Sequence, residues 1–209
     1  MYYKYIDEFN ILEAPKNYTV DGKTICNFNK SINQMVKCGF KVLKSKKDIV
    51  YNEMYQDLLY MYYDTPECII QECCVVDNIN KYKNNLIILL DKWLTKQKDL
   101  PIFISPTLFT QIRYIEDYYN TLNVINDTNY TFDNKRPLKL ILGTLDGTFK
   151  KVTIDSFKKA KNIWDKTYSR YQQISYLYNK VFTSIQNSNT IEDLQLLESE
   201  ITDMYNEVL

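Results

Sequence analysis

Between Thr153 and Gln186, large side chains recur every seven residues without a break: Phe157, Trp164, Tyr171, Tyr178 and Ile185. Ala160, Thr167, Ile174 and Val181 occupy the second seam position, so an apolar stripe persists over more than four heptads. A stripe of that length predicts a long helix that must bury one side against a partner. Its five large residues are the candidate packing or partner interface. They either form core within the chain or join copies of it in a bundle, and the matching stripe of Leu194, Leu197, Ile201, Met204 and Val208 favours packing within the chain. Thr190 and Asp193 bracket a capping box between the two stripes, which predicts an antiparallel helical hairpin.

The stripe is preceded by a change of period. Tyr130–Phe132, Leu138–Leu142 and Thr148–Ile154 alternate as strands do, with Asp146-Gly147 as the turn between the last two and Thr153 or Asp155 as the cap of the long helix. Upstream, Val50, Met54, Leu58 and Met61 stand at helical spacings, Thr65-Pro66-Glu67 reads as the start of a second helix to about Val76, and Leu86 to Leu94 marks a third. Ser105-Pro106 reads as the start of a fourth, with Leu108, Ile112, Ile115, Tyr119 and Leu122 on one face. At the front, Tyr2–Ile6 reads as a strand and Asp21-Gly22 as a hairpin turn. Asn29 caps a short helix carrying Ile32, Met35 and Val36, and Gly39 ends it before another strand.

The expected fold class is therefore α+β and predominantly helical. It comprises a small α+β module over 1–47, a central helical block over 48–127, and a β-hairpin plus long antiparallel helical hairpin over 128–209.

Composition narrows function mainly by exclusion. The chain has 26 basic and 26 acidic residues among 209, so no net field draws it to nucleic acid or an anionic surface. It contains no histidine, which removes the usual general base, the Ser-His and Cys-His dyads and imidazole zinc sites. Its four glycines match neither a dinucleotide fingerprint nor a P-loop. No catalytic residue, metal site or cofactor is expected. Cys68, Cys73 and Cys74 lack the Cys-x-x-Cys knuckle of a metal site and read as packing thiols. The basic cluster Lys41, Lys44, Lys46 and Lys47 is followed at once by Asp48 and reads as a solvated boundary.

No apolar run approaches the length of a membrane span, and Met1–Phe9 lacks the pattern of a secretory signal, so a soluble protein made in the cytoplasm is expected. The nineteen tyrosines gather at Tyr2, Tyr3 and Tyr5, at Tyr60, Tyr62 and Tyr63, and at Tyr118 and Tyr119. They reflect either the codon bias of an A+T-rich genome or a recognition surface built from adaptable rings.

Two groups of residues carry a family resemblance. Met1–Asp7, Ala14-Pro15, Asp21-Gly22-Lys23, Asn27 and Cys38-Gly39-Phe40 form the first; Asp146-Gly147-Thr148, Val152–Asp155 and Thr190–Leu194 form the second. Together they resemble small accessory proteins of tailed-phage tails, found with or fused to tail-fibre proteins. The resemblance covers about 1–43 and 128–209, whereas the stretch from Asp48 to Thr107 departs from the pattern. It implies binding and assembly rather than catalysis, a tail or fibre protein as partner, and a location in the host cytoplasm or the virion. The alternative expectation is a phage-encoded inhibitor that blocks a host defence nuclease or its nucleic-acid groove.

Overall fold

The computed structural model describes residues 1–45, 49–120, 122 and 138–207. The chain forms two compact units, Met1–Lys81 and Tyr82–Leu209, whose boundary falls inside one helix.

In the first unit, strands β1 (Tyr2–Asp7), β2 (Asn10–Glu13), β5 (Lys41–Ser45), β6 (Gln56–Asp64) and β7 (Cys68–Asp77) make a five-stranded sheet ordered β2-β1-β5-β7-β6. The β5–β7 pair is parallel and the others are antiparallel. A separate hairpin of β3 (Asn17–Val20) and β4 (Lys23–Cys26) turns at Asp21 and Gly22. Both turn residues have positive φ, 49° and 74°, the backbone twist that suits a two-residue hairpin loop. Helix α1 (Ile32–Lys37) is capped by Ser31 rather than Asn29, which lies in the preceding 3-10 turn. Ala14, Phe28, Met35 and Phe40 form a small core, with Tyr18 stacked on Phe28 at 4.7 Å.

The second unit contains α2 (Ile79–Asp99, all but its first turn), β8 (Ile102–Ser105), β9 (Leu108–Thr110), α3 (Ile112–Ile115), β10 (Leu138–Thr144), β11 (Phe149–Ile154), α4 (Phe157–Asn187) and α5 (Ile191–Asn206). Ser156 and Thr190 cap α4 and α5, each accepting a hydrogen bond from the backbone N–H three residues on. The cap of the long helix is therefore Ser156, not Thr153 or Asp155.

Three helices run side by side. Lys83 donates to the Gln186 carbonyl, Tyr178 to the Asp91 carboxylate and Arg170 to the Gln97 side chain, so α2 and α4 are antiparallel. Tyr82 donates to Glu198 and the Trp93 indole to the Met204 carbonyl, so α2 and α5 run the same way. The buried face of α2, Tyr82, Leu86, Leu90, Trp93 and Gln97, meets this arrangement at spacings of three and four.

These observations overturn the predominantly helical fold class. The described residues hold eleven strands in three sheets, and of the expected central helical block only α2, which covers the third expected helix, and the short helical turns after β9 are helical among them. Of the residues read as two helices, Gln56–Asp64 and Cys68–Asp77 form the long β6–β7 hairpin, Val50 and Met54 precede it outside any helix, and the stretch from Leu108 is β9 followed by the short α3. The end of the chain is helical, α4 and α5. The hairpin before it is not a freestanding C-terminal module, because β10 and β11 belong to a four-stranded sheet ordered β11-β10-β9-β8.

The two misread helix starts at Thr65-Pro66 and Ser105-Pro106 share a cause. Thr65 Oγ1 accepts from the Cys68 N–H at 3.1 Å, and Ser105 Oγ accepts from the Leu108 N–H at 3.1 Å. A hydroxyl bonded to the N–H three residues on is what a helix N-cap makes, but here each one closes a tight hairpin loop with proline inside it. The expected strand at Tyr130–Phe132, the end of the last stripe at Val208, and Lys46 and Lys47 lie outside the described residues.

Candidate functional site

The five residues of the α4 stripe do not share one environment. Trp164 and Ile185 are buried, Tyr171 and Tyr178 are half-buried, and Phe157 is exposed. The innermost line is the second seam position, Ala160, Thr167, Ile174 and Val181, all buried. Trp164 stacks on Tyr168 with ring centroids 3.7 Å apart and meets Tyr119 edge-on at 6.1 Å, while Tyr171 stacks on Tyr119 at 4.4 Å.

The polar groups inside this packing are few. Thr167 donates back to the Ile163 carbonyl at 2.7 Å. The Tyr119 hydroxyl beside it has no partner in hydrogen-bond geometry among the described residues, and burial pushes its phenol well above the usual range, with the nearby Thr167 hydroxyl opposing the shift. Burial likewise lowers the Arg170 guanidinium from its ordinary value. Tyr178 is raised, first by burial and then by its bond to the Asp91 carboxylate at 2.8 Å. These features hold the helices together.

In the first unit, register assigns each side chain to a face. Leu59, Met61 and Tyr63 share one face of the β6–β7 hairpin with Ile70, Cys74 and Val76; Leu58, Tyr60 and Tyr62 share the other with Gln71, Cys73 and Val75. No side chain of β6 is buried, and Leu59, Tyr60, Tyr63, Val75 and Val76 are all exposed, from 37% for Val75 to 46% for Val76. Lys41, on the same face as Asp64, pairs with it at 2.6 Å.

The outward edge of β6 is blocked at both ends. The Tyr62 N–H donates to the Glu8 carbonyl at 2.8 Å, and Lys81 Nζ donates to the Gln56 carbonyl at 2.6 Å and to Asp57 at 2.7 Å. The Lys81 ammonium, followed by the Asn78 amide, holds the Asp57 carboxyl below its ordinary value. Between these two plugs lie only Leu58 and Tyr60 among the outward-facing positions of the described strand, too short a stretch for addition of another strand. What this hairpin presents is its side chains.

The four-stranded sheet of the second unit has an equally clear division. Its inner face carries Thr110, Leu140, Leu142 and Ile154, all buried. Across its outer face runs one register row: Phe103 opposite Phe109, Phe109 opposite Gly143, and Gly143 opposite Phe149. The Phe109 ring lies over Gly143 so closely that an added Cβ would stand 2.7 and 2.8 Å from two ring carbons. Glycine here is what lets the ring lie flat on the strand. Phe103 and Phe149 flank it at 5.9 and 5.8 Å, Tyr114 adjoins Phe149 at 5.4 Å, and the Arg113 guanidinium sits 4.7 Å over the Tyr114 ring.

Sequence reasoning missed this row, although the signal was the odd-numbered aromatic in Ile102-Phe103-Ile104 and in the strand starting at Phe149. The pairing of strands 40 residues apart, which brings the rings together, has no local signature.

Among the described residues, no group of three Cys, Asp or Glu is placed to hold a metal ion. Cys68 and Cys74 lie on one face of β7 and Cys73 on the other, and all are free thiols. No helix among the described residues is long and apolar enough to cross a membrane. Comparison with known proteins finds no matching family model, no matching curated protein and no matching solved structure.

Proposed function

We infer that this protein is a non-enzymatic phage structural or tail-assembly accessory that acts through protein–protein contacts, with a tail or fibre protein as partner. The observation that carries the contact role is the β6–β7 hairpin, where five large apolar side chains are exposed on two adjoining strands. Scattered exposed apolar residues are ordinary, but Leu59, Tyr63 and Val76 on one face of a hairpin, with Tyr60 and Val75 on the other, cost solubility unless a partner covers them. The phage context rests on the sequence resemblance at the two ends of the chain. The want of histidine and of phosphate-cradling glycine loops supports a binding role over catalysis.

The test is co-expression with the tail and fibre proteins encoded beside this chain, followed by size-exclusion chromatography and titration calorimetry. A stable complex is expected, and Leu59→Asp with Val76→Asp should weaken it at least about tenfold, the scale of a modest interface contact, while leaving thermal unfolding unchanged. Neighbouring genes unrelated to tails, or a complex indifferent to both substitutions, would overturn the reading.

A further inference from the structure

We propose that the outer face of the β8–β11 sheet is a stacking platform for single-stranded nucleic acid, a function separate from the hairpin contact surface of the first unit.

Three observations carry it. Phe103 and Phe149 are 50% and 46% exposed although they lie on regular strands, so these rings are displayed rather than buried. They stand with Phe109 in one row, a ring on each of three strands at steps of 5.9 and 5.8 Å, extended by Tyr114. Neighbouring strands are about 4.8 Å apart, so a chain crossing the sheet meets a ring at nearly every strand. The row is held in place from beneath, because Phe109 rests on Gly143 and supports the rings on either side.

The charge around the row selects the ligand. Register places Lys139, Ile141, Lys151 and Thr153 on the same outer face, and no Asp or Glu occupies an outer-face position of these four strands. Lys139 and Lys151 are both exposed and make no ion pair among the described residues, whereas Arg113, at the Tyr114 end of the row, is paired with Asp99 at 3.2 Å. Bases stack on aromatic faces without needing side-chain hydrogen bonds, and their phosphates require cations alongside. A peptide or sugar would instead need donors and acceptors; the outer-face positions of the four strands carry no side-chain amide or carboxylate, and the two beside the row, Gln111 and Asp99, are engaged by Arg113. Phenylalanine supplies the stacking surface and lysine the phosphate contact, so recognition is of the single strand and not of its sequence.

The experiment is fluorescence anisotropy of the full chain with labelled oligo(dT) and oligo(U) of about 12 nucleotides, within the span of comparable platforms, with duplex DNA alongside. Binding is expected to favour single strands, with oligo(dT) and oligo(U) separating DNA from RNA. Its salt dependence should have a slope of about −1.4, for two phosphate contacts on a single strand. Phe103→Ala and Phe149→Ala should each weaken it roughly 5- to 100-fold, the loss of one stacked base, with circular dichroism unfolding unchanged because both rings are half-exposed. Lys139→Gln with Lys151→Gln should flatten the salt slope.

No binding at low salt overturns the proposal. So does binding that falls with the lysines but ignores both phenylalanines, which is simple charge attraction. Sedimentation with phosphatidylserine vesicles without oligonucleotide binding would make the face a membrane contact, and loss of the tail-protein complex in Phe103→Ala without oligonucleotide binding would make it a protein contact; either result overturns it as well.

Discussion

Trp164→Ala separates a packing seam from an exposed docking face on α4. The indole is 7% exposed and lies between Tyr168, stacked at 3.7 Å, and Tyr119, edge-on at 6.1 Å. Truncation to Ala therefore removes nearly all of a buried Trp's transfer free energy and leaves a cavity that two rings only partly refill, about 3–5 kcal/mol. The aromatic contacts lie within that figure. With a urea m-value of about 2 kcal/mol/M, the midpoint should fall by about 1.5–2.5 M. Both tryptophans of the chain, Trp93 and Trp164, belong to the second unit. Trp93 fluorescence in the variant thus follows unfolding of that unit alone, and far-UV circular dichroism follows the whole chain. Trp164→Phe keeps a stacking ring and should cost less than half as much. Tyr176→Ala, on the same helix but 68% exposed, should change stability by no more than about 0.5 kcal/mol. A loss below about 1 kcal/mol for Trp164→Ala would refute the assignment of this residue to the core.

Gly143→Ala should destabilise the β8–β11 sheet by about 1–3 kcal/mol, because its methyl must displace the Phe109 ring; the double variant with Phe109→Leu should recover much of that loss in thermal unfolding. Thr190→Ala removes the oxygen that accepts from the Asp193 N–H at 3.1 Å and should cost about 1 kcal/mol by urea titration. Tyr82→Phe deprives the half-buried Glu198 carboxylate of its donor and should cost about 1–3 kcal/mol in the same assay. Asp146 is held at about 2, below its ordinary 3.8, first by the Thr144 hydroxyl and then by the Thr148 N–H and hydroxyl. Because the folded value is the lower one, its contribution to the β10–β11 turn is complete above about pH 4 and fades as pH falls towards 2. A carbon-13 carboxyl titration with its midpoint at 3.8 or higher would contradict those three bonds.

The helices that packing decides were legible in the sequence, because a stripe over four heptads on α4 leaves few alternatives. Asp21-Gly22 announced the β3–β4 turn for a similar reason, since consecutive positive φ values suit few other residue pairs. The β6–β7 hairpin was not legible. Its apolar residues face both ways, so Leu58 to Tyr63 shows no period of two, and Leu58 and Met61 fell by chance on a helical spacing. The Thr65-Pro66 and Ser105-Pro106 signals were chemically real but ambiguous, since one hydroxyl-to-amide bond serves a helix start and a hairpin loop alike. The phenylalanine row was out of reach altogether. Its three rings come from β8, β9 and β11, and only the register that sets Phe109 and Phe149 on either side of Gly143 joins them.

Charge is where the whole-chain reading and the local one part most sharply. Twenty-six basic against twenty-six acidic residues suggested that phosphate would find no attractive field. Neutrality, however, is a sum, and the structure shows where the compensation occurs. Lys41 pairs with Asp64, Lys81 with Asp57, Lys98 with Glu116, Lys161 with Asp165 and Lys180 with Glu200, and beside the second sheet Arg113 pairs with Asp99 and Lys159 with Asp155. Exposed pairs of this kind add little stability, but each cancels a positive charge within a few ångströms. Among the described residues, Lys139 and Lys151 have no such partner on the face that displays Phe103 and Phe149. At physiological salt a charge is felt over about 8 Å, so acids paired with lysines elsewhere do little to offset these two for a ligand resting on the rings. A chain with no net charge can thus carry a face that is locally cationic and aromatic together, and the salt slope of oligonucleotide binding, not the isoelectric point, measures it.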